Sequence, residues 1–388
     1  MAHHDFHFQV SYKHRLYFLQ NAFSAENRAW LDALDLSPSR KLLCFVEQAV
    51  IDARQELAEE IATMAATTPL TFSGTHVLLG GEISKASAAV AEQALMVIDR
   101  AGIDRHSYVL VIGGGAFLDV IGYAAALAHR GLRLLRMPTT TLAQADSGVG
   151  VKCAINHFGK KNWLGVFSVP HAVIIDSAFL KTLSPEVRRE GLIEALKVAL
   201  VKDCAFYESI ASSKNAWLNP SNELLESCIE RSALLHAGHI CEGGDPFESG
   251  SSRPLDFGHW SAHKLEALTD YTISHAAAVA VGIALDLLIS ARLGHLDPAM
   301  ADEIFELIEC MGFATYHPAL DLRDASGNRA IHCALEEFRE HLGGELALLM
   351  LRKPGAAIEI NHIDHAIIDA CIDQLGLRHD AVRAKFSP

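Results

Sequence analysis

The 388 residues are 50% hydrophobic and 21% charged, enough for two domains with real cores in a soluble globular protein. A formal net charge of -14 excludes nucleic acid as a partner, because binding a polyphosphate requires a basic surface, whereas a small anionic substrate needs only a local basic pocket. No uninterrupted apolar run spans a bilayer, "MAHHDFHFQV" lacks the apolar stretch of a signal peptide, and the eight cysteines include no C-x2-C pair; the expectation is a cytoplasmic protein with no membrane partner, no disulfide framework and no zinc ribbon.

Along the chain as far as Asp176, short apolar runs alternate with helical stretches: "KLLCFVEQAV", "THVLLGGE", "YVLVIGGG", "LRLLRMPTTT" and "HAVIIDSAFL". This alternation predicts a βαβ domain with a mostly parallel sheet. After "LKTLSPE" the strand signal fades and long helical periodicities follow, in "VRREGLIEALKVALVKDCAFYESIA" and "HAAAVAVGIALDLLISARLG", so the boundary falls between Phe179 and Pro185. The expected domains are 1-180, α/β, and 181-388, mainly α-helical, with one small hairpin at "GELALLMLRKPGAAIEI". Ligands of open α/β sheets bind beyond the carboxyl ends of the strands, which predicts an active-site cleft between the halves.

Three segments carry chemistry. In "YVLVIGGGAFLDV" a strand, a triple-glycine turn and a helix follow one another; Gly113, Gly114 and Gly115 let backbone approach a pyrophosphate at a helix N-terminus, although a tight βα turn alone asks for the same glycines. The pattern is not G-x-G-x-x-G, since Leu118 holds the third glycine position. Glu47, after the strand "LLCFV", is an acidic residue able to grip an adenosine ribose or simply to sit solvated at a strand end. The stretch "MPTTTLAQADSGVGVKCAINHFGKKNWLG" gathers threonines, Asp146, Lys152, Lys160, Lys161 and Asn162 among glycines without a clean helix or strand period, and reads as a functional loop able to wall a phosphate. Finally, "DFGHWSAHKLEALTDYTISHAAAVAVG" places His259 and His263 four apart on one helical face and His275 at the start of the next apolar run. Convergent imidazoles point to a metal, yet His-x3-His alone is a common accident and the decisive further ligand must come from elsewhere.

The ordered motifs "GGGAFLD", "PTTTLAQADSGVGVK", "GKKNWLG", "FLKTL", "GLIEALK" and "DFGHWSAH…SHAAAVAVG" resemble the 3-dehydroquinate synthase-like sugar phosphate cyclases from about Lys41 to Ala356, and "GDPFESGSSRPLDFGHWSAHKLE" looks most like the EboD-type branch. The resemblance implies a Rossmann-like parallel-sheet domain followed by a mainly helical metal-binding domain. It implies a catalytic divalent metal, zinc or cobalt, held by Glu194, His259 and His275, with His263 a substrate contact and not a ligand. Asp146, Lys152, Asn162 and Lys197 match residues around the substrate and its phosphate, and Asp256 stands where the synthases carry asparagine. Glu47, Glu82, Lys85, Gly114, Gly115, Asp119, Thr139, Thr140, Lys161, Phe179 and Thr182 match positions lining an NAD site. Arg130 matches an arginine reaching across a subunit interface, so a homodimer is implied.

The implied reaction uses NAD in a closed cycle on a sugar phosphate: transient oxidation of a secondary alcohol, loss of phosphate, re-reduction and intramolecular aldol closure to a carbocycle. The chain departs from the family at Ala276 and Ala277, where Gly-Glu is usual, at Leu118 and Val151, where glycines are usual, and at Ser252, where the true synthases carry arginine. These changes disfavour the acidic heptulosonate substrate of 3-dehydroquinate synthase and favour a neutral-headed sugar phosphate. Two alternatives remain beside it: a metal-dependent NAD(P) polyol or glycerol-phosphate dehydrogenase, which releases NADH at every turnover, and a true 3-dehydroquinate synthase.

Overall fold

A computed structural model of the chain describes residues 3–158, 160–243, 246–247, 255–341 and 344–386. The chain divides into two compact units, Met1–Thr139 with Gly148–Ala178, and Thr140–Ser147 with Phe179–Pro388. The sequence reading placed the division at 180/181 and gave Thr140–Ser147 to the α/β half; here that segment belongs to the second unit.

The first unit contains, in chain order, β1 (Leu16–Leu19), β2 (Lys41–Glu47), α1 (Gln48–Ala53), α2 (Leu57–Ala66), β3 (Thr71–Leu78), α3 (Ala89–Arg100), β4 (Tyr108–Gly113), α4 (Gly115–Leu127), β5 (Arg133–Pro138), β6 (Lys152–His157), β7 (Lys160–Phe167) and β8 (Ala172–Asp176). Six strands form a sheet in the order β1-β8-β5-β4-β2-β3, and every pairing in it is parallel. β2 and β4 are buried almost throughout, as strands covered by helices on both faces must be. The strand after β2 lies to one side of the β2–β4 pair and the strand after β4 to the other, so the order switches between them. Their carboxyl ends, Glu47 and Gly113, flank the crevice where such sheets take ligands. The expected strand "HAVIIDSAFL" stops at Asp176, whose buried carboxylate accepts from Ala178 N at 2.9 Å and from Asn21 N and Ala22 N at 2.9 and 2.8 Å; these bonds turn the chain into a 3-10 turn over Ser177–Thr182.

The stretch read as a loop around Lys152 and Asn162 is an antiparallel ribbon, β6 against β7. Its root is Arg136 on β5, fully buried, which donates to Gly150 O (2.6 Å), Lys152 O (3.1 Å), Gly148 O (3.3 Å) and Cys153 Sγ (2.9 Å). Burial of the guanidinium is offset because its two terminal nitrogens donate to carbonyl oxygens and the Cys153 sulfur.

The second unit holds α5 (Pro185–Lys202), α6 (Cys204–Ser212), α7 (Asn222–Glu242), α8 (His259–Leu268), α9 (His275–Arg292), α10 (Pro298–Cys310), α11 (Cys333–His341), the hairpin β9 (Leu348–Lys353) and β10 (Ala356–Ile360), and α12 (His365–Phe386). α5 opens on a Ser184 cap with Pro185 in its first turn and is buried continuously from Gly191 to Val201, which makes it the central helix. α9, capped by Ser274, has the length and composition to cross a membrane, but 78% of that window is buried inside the protein; it is a core helix.

Thr140–Ser147 joins this unit through α5. Thr141 Oγ1 donates to Val187 O (2.8 Å) and accepts from Gly191 N (3.0 Å), and a Cβ on Gly191 would lie 2.5 Å from Thr141 C. Gly191→Ala is therefore expected to cost about 1–3 kcal/mol by overpacking against backbone, read as a lower denaturant midpoint at unchanged m. A midpoint equal to that of the wild type would show that the approach is not tight.

Candidate active site

At the switch point of the sheet, Glu47 is held at the end of β2 with both oxygens engaged. Oε1 accepts from Gly81 N at 2.9 Å and Oε2 from Gly114 N at 2.6 Å. The carboxylate ties two glycine turns together, so part of the triple-glycine motif is structural: a Cβ on Gly113 would sit 2.6 Å from Phe117 Cδ1 and 2.7 Å from Glu47 Oε2. Gly115 then opens α4, whose N-terminal dipole lies at the carboxyl ends of β2 and β4 and suits a pyrophosphate. Around this turn Lys85, 2% exposed, pairs with Asp119 at 2.6 Å, Lys161 Nζ stands 3.9 Å from Glu82 Oε1, and Thr139 N donates to Gly113 O at 3.0 Å. These are the residues expected to line an NAD site, gathered in the first unit. Thr140, Phe179 and Thr182 belong to the second; Phe179 is fully buried and its carbonyl accepts from Thr182 Oγ1.

Lys152 starts β6 and is exposed, while Asn162 on β7 is exposed with φ +54 and donates its N–H to Asn156 Oδ1 at 2.9 Å. Arg130 lies in the exposed turn after α4, where His129 and Arg130 have φ of +52 and +65. Two successive non-glycine residues in this region are costly, and such outliers gather at functional positions.

The second unit brings together a carboxylate and two imidazoles that could hold a metal ion. Glu194 and Lys197 sit on adjacent turns of α5, 0% and 2% exposed, with Lys197 Nζ 2.5 Å from Glu194 Oε2. Glu194 Oε1 lies 3.7 Å from His259 Nε2 at the start of α8 and 3.5 Å from His275 Nε2 at the start of α9, too long for hydrogen bonds. One ligand atom from each of the three residues falls within 4.8 Å of the others. Both Glu194 oxygens are buried without a well-aligned hydrogen bond among the described residues. A buried carboxylate oxygen facing two imidazole nitrogens at these distances fits a divalent cation between them.

Burial alone would push the Glu194 carboxyl up, but the Lys197 ammonium and His275 outweigh it and hold it down at about 2. His259 is pushed well below the usual imidazole range by burial and by the neighbouring Lys197 charge, leaving it neutral, as a ligand must be. The negative charge of Glu194 and Asp146 overcomes burial at Lys197 and raises it, with Asp256 a further anion nearby. Asp146 lies at the end of a π-helical turn, Ala143–Ser147, against α7, where His236 Nδ1 is 3.0 Å from its Oδ1. Burial opposes its ionisation, yet His236 and Lys197 hold it low. The exposed His263 ring is 5.4 Å from that of His259 and 6.0 Å from that of His275. Ser252 and Arg253 lie outside the described residues.

Two supporting residues escaped the sequence reading. Asp286 on α9 accepts from Gly258 N (2.8 Å) and Trp260 Nε1 (2.7 Å), bracketing His259; burial pushes its carboxyl up to about 7. The other is Glu266. Glu266 carried a signal, standing two helical turns after His259 and hence on the same face.

The family described as 3-dehydroquinate synthase N-terminal matches residues 75–190 and that described as 3-dehydroquinate synthase C-terminal matches residues 191–328. A 3-dehydroquinate synthase from Dehalococcoides mccartyi is 32% identical over 67% of this chain and 70% of its own. A 2-epi-5-epi-valiolone synthase from Streptomyces glaucescens is 30% identical over 77% of this chain and 76% of its own. A solved 2-epi-5-epi-valiolone synthase from Streptomyces hygroscopicus, with NAD+ and Zn2+ bound, superposes with a TM-score of 0.85 at 25% identity over 97% of this chain and 100% of its own. These matches place the two-unit fold with its parallel sheet among carbon–oxygen lyases, the sugar phosphate cyclases. The chain belongs to the 3-dehydroquinate synthase family.

Proposed function

We propose that the chain converts a neutral-headed sugar phosphate, such as a heptulose 7-phosphate or a hexose 6-phosphate, to a carbocycle with loss of phosphate, using NAD without net consumption and one zinc or cobalt ion. The observation that carries this reading is the buried Glu194, with Lys197 on one oxygen and His259 and His275 facing the other. When bound, the metal polarises a substrate hydroxyl and NAD takes and returns a hydride.

The protein's own part is electrostatic. Lys197 is held cationic by Glu194 and Asp146 and is placed to stabilise developing negative charge. The His236–Asp146 pair fixes the Asp146 carboxylate beside it. Asp256, an anion acting on Lys197, accepts a hydrogen bond from a hydroxyl and repels a carboxylate, which supports a neutral head group; the name of the 2-epi-5-epi-valiolone synthase relative points the same way. Lys152, Asn162 and His263 are assigned to phosphate and substrate by the family resemblance.

The test is inorganic phosphate release from a panel of sugar phosphates with NADH absorbance followed in parallel. Phosphate release with only transient NADH is expected. Stoichiometric NADH accumulation would establish the polyol dehydrogenase alternative, and efficient turnover of the heptulosonate would establish a true 3-dehydroquinate synthase.

We place the protein in the cytoplasm as a homodimer in which Arg130 serves the partner subunit's site; the left-handed turn at His129–Arg130 supports this. Mixing inactive Arg130→Ala with inactive Lys197→Ala is expected to restore part of the activity, since one hybrid site is then intact. No recovery, with subunit exchange demonstrated, would count against sharing.

A further inference from the structure

We infer that Glu266 is a positioning residue for the metal centre, holding His275 by its Nδ1 edge so that Nε2 is presented to the ion; this rests on the metal reading above. Glu266 lies on α8 and is 3% exposed. Its Oε1 is 3.3 Å from His275 Nδ1, an ion-pair approach without hydrogen-bond alignment, while His275 Nε2 is 3.5 Å from Glu194 Oε1. The ring thus stands between two carboxylates, one on each nitrogen. A neutral imidazole donates from one nitrogen and accepts at the other. Both carboxylates can only accept, so with a cation in place between Glu194 and Nε2 the ring would keep its proton on Nδ1, facing Glu266, and present the Nε2 lone pair to the ion.

His259 is arranged on the same plan with a weaker partner. Its Nδ1 is 3.1 Å from Phe257 O, and its Nε2 points at Glu194 Oε1 from 3.7 Å. Both imidazoles therefore have an acceptor behind Nδ1 and converge through Nε2, His259 hydrogen-bonded to a neutral carbonyl and His275 facing a carboxylate at ion-pair distance. Burying a carboxylate at this depth is expensive unless its charge is used. Against His275 it strengthens the ring as a donor and stops it rotating.

His263, Glu266 and His275 also bring ligand atoms within 4.8 Å of one another, so Glu266 as a ligand of a second ion is the competing arrangement. It would require His275 to serve two ions and would use His263, an exposed side chain.

The test is zinc affinity measured by competition with a chromophoric chelator for wild type, Glu266→Gln and Glu266→Ala, with bound zinc counted. The expected result is one zinc per chain in all three. Affinity should fall about tenfold in the glutamine variant, whose amide oxygen still accepts without charge, and nearer a hundredfold in the alanine variant. Wild-type affinity in a folded Glu266→Ala overturns the inference; if that variant does not fold, wild-type affinity in Glu266→Gln does so. Two zinc ions per wild-type chain, one lost with Glu266, would overturn it in favour of the second-ion arrangement. A wild type that binds no zinc removes the metal reading itself.

Discussion

Glu194→Gln is expected to abolish near-stoichiometric metal binding and to lower turnover about a thousandfold or more. The substitution keeps volume and removes the charge that makes Oε1 a ligand, so two imidazoles alone would have to hold the ion. It also strands Lys197, which is 2% exposed and paired to Glu194 at 2.5 Å. Breaking a buried pair from one side costs about 3–5 kcal/mol, because the remaining charge is left in a dry site. Metal analysis and a melting curve on the same sample separate the two effects. Retained stoichiometric metal would remove Glu194 from the ligand set.

The second large effect concerns Lys197→Met, read through pH. In the wild-type apo protein Glu194 titrates at about 2, below its ordinary 4.5. A depressed carboxyl contributes stability that is complete above the unfolded value and is lost as pH falls from about 4.5 through about 2, on the order of 3 kcal/mol in all. With the ammonium gone, the burial that now opposes Lys197 acts with less opposition and moves the carboxyl up. Once it lies above 4.5 the sign reverses, and the contribution declines as pH rises through that window. Melting curves of the chelator-treated proteins between pH 3 and 6 should show the Lys197→Met midpoint losing the acid-side rise seen in the wild type, alongside a fall in turnover of about a hundredfold or more at neutral pH. Parallel curves for the two proteins would show that Lys197 does not set the ionisation of Glu194.

Elements with strong periodicity were legible in the sequence. The runs "KLLCFVEQAV" and "YVLVIGGG" became β2 and β4 with the switch-point crevice between them, and "GLIEALK" became the centre of α5. β1 was not foreseen: it is four residues long and half-buried, too short for a period to register. The β6–β7 ribbon was hidden because Arg136, a buried cation on another strand, satisfies the carbonyls at its root, and no local pattern encodes a long-range bond of that kind. Glu47 was recognised as functional material, but its partners, Gly81 and Gly114, lie far from it in the chain. The proposed ligand triad came from ordered motifs; Glu266, beside His275, and Asp286, bonded on either side of His259, read locally as ordinary helical residues.

The eight residues Thr140–Ser147 have a consequence for how the molecule comes into being. The chain leaves its α/β unit at Thr139, visits the helical unit, returns at Gly148 and leaves again after Ala178. On the ribosome the Thr141 hydroxyl emerges some fifty residues before the Gly191 amide it will bond, while β8 of the first unit is still to come. Neither unit can be completed as one uninterrupted length of nascent chain, and their folding is interleaved in time. A protein cut to residues 179–388 would start with the seat against Gly191 empty and with Asp146 missing beside Lys197, so the helical half released by proteolysis should neither refold like the intact chain nor keep the electrostatics of its metal centre.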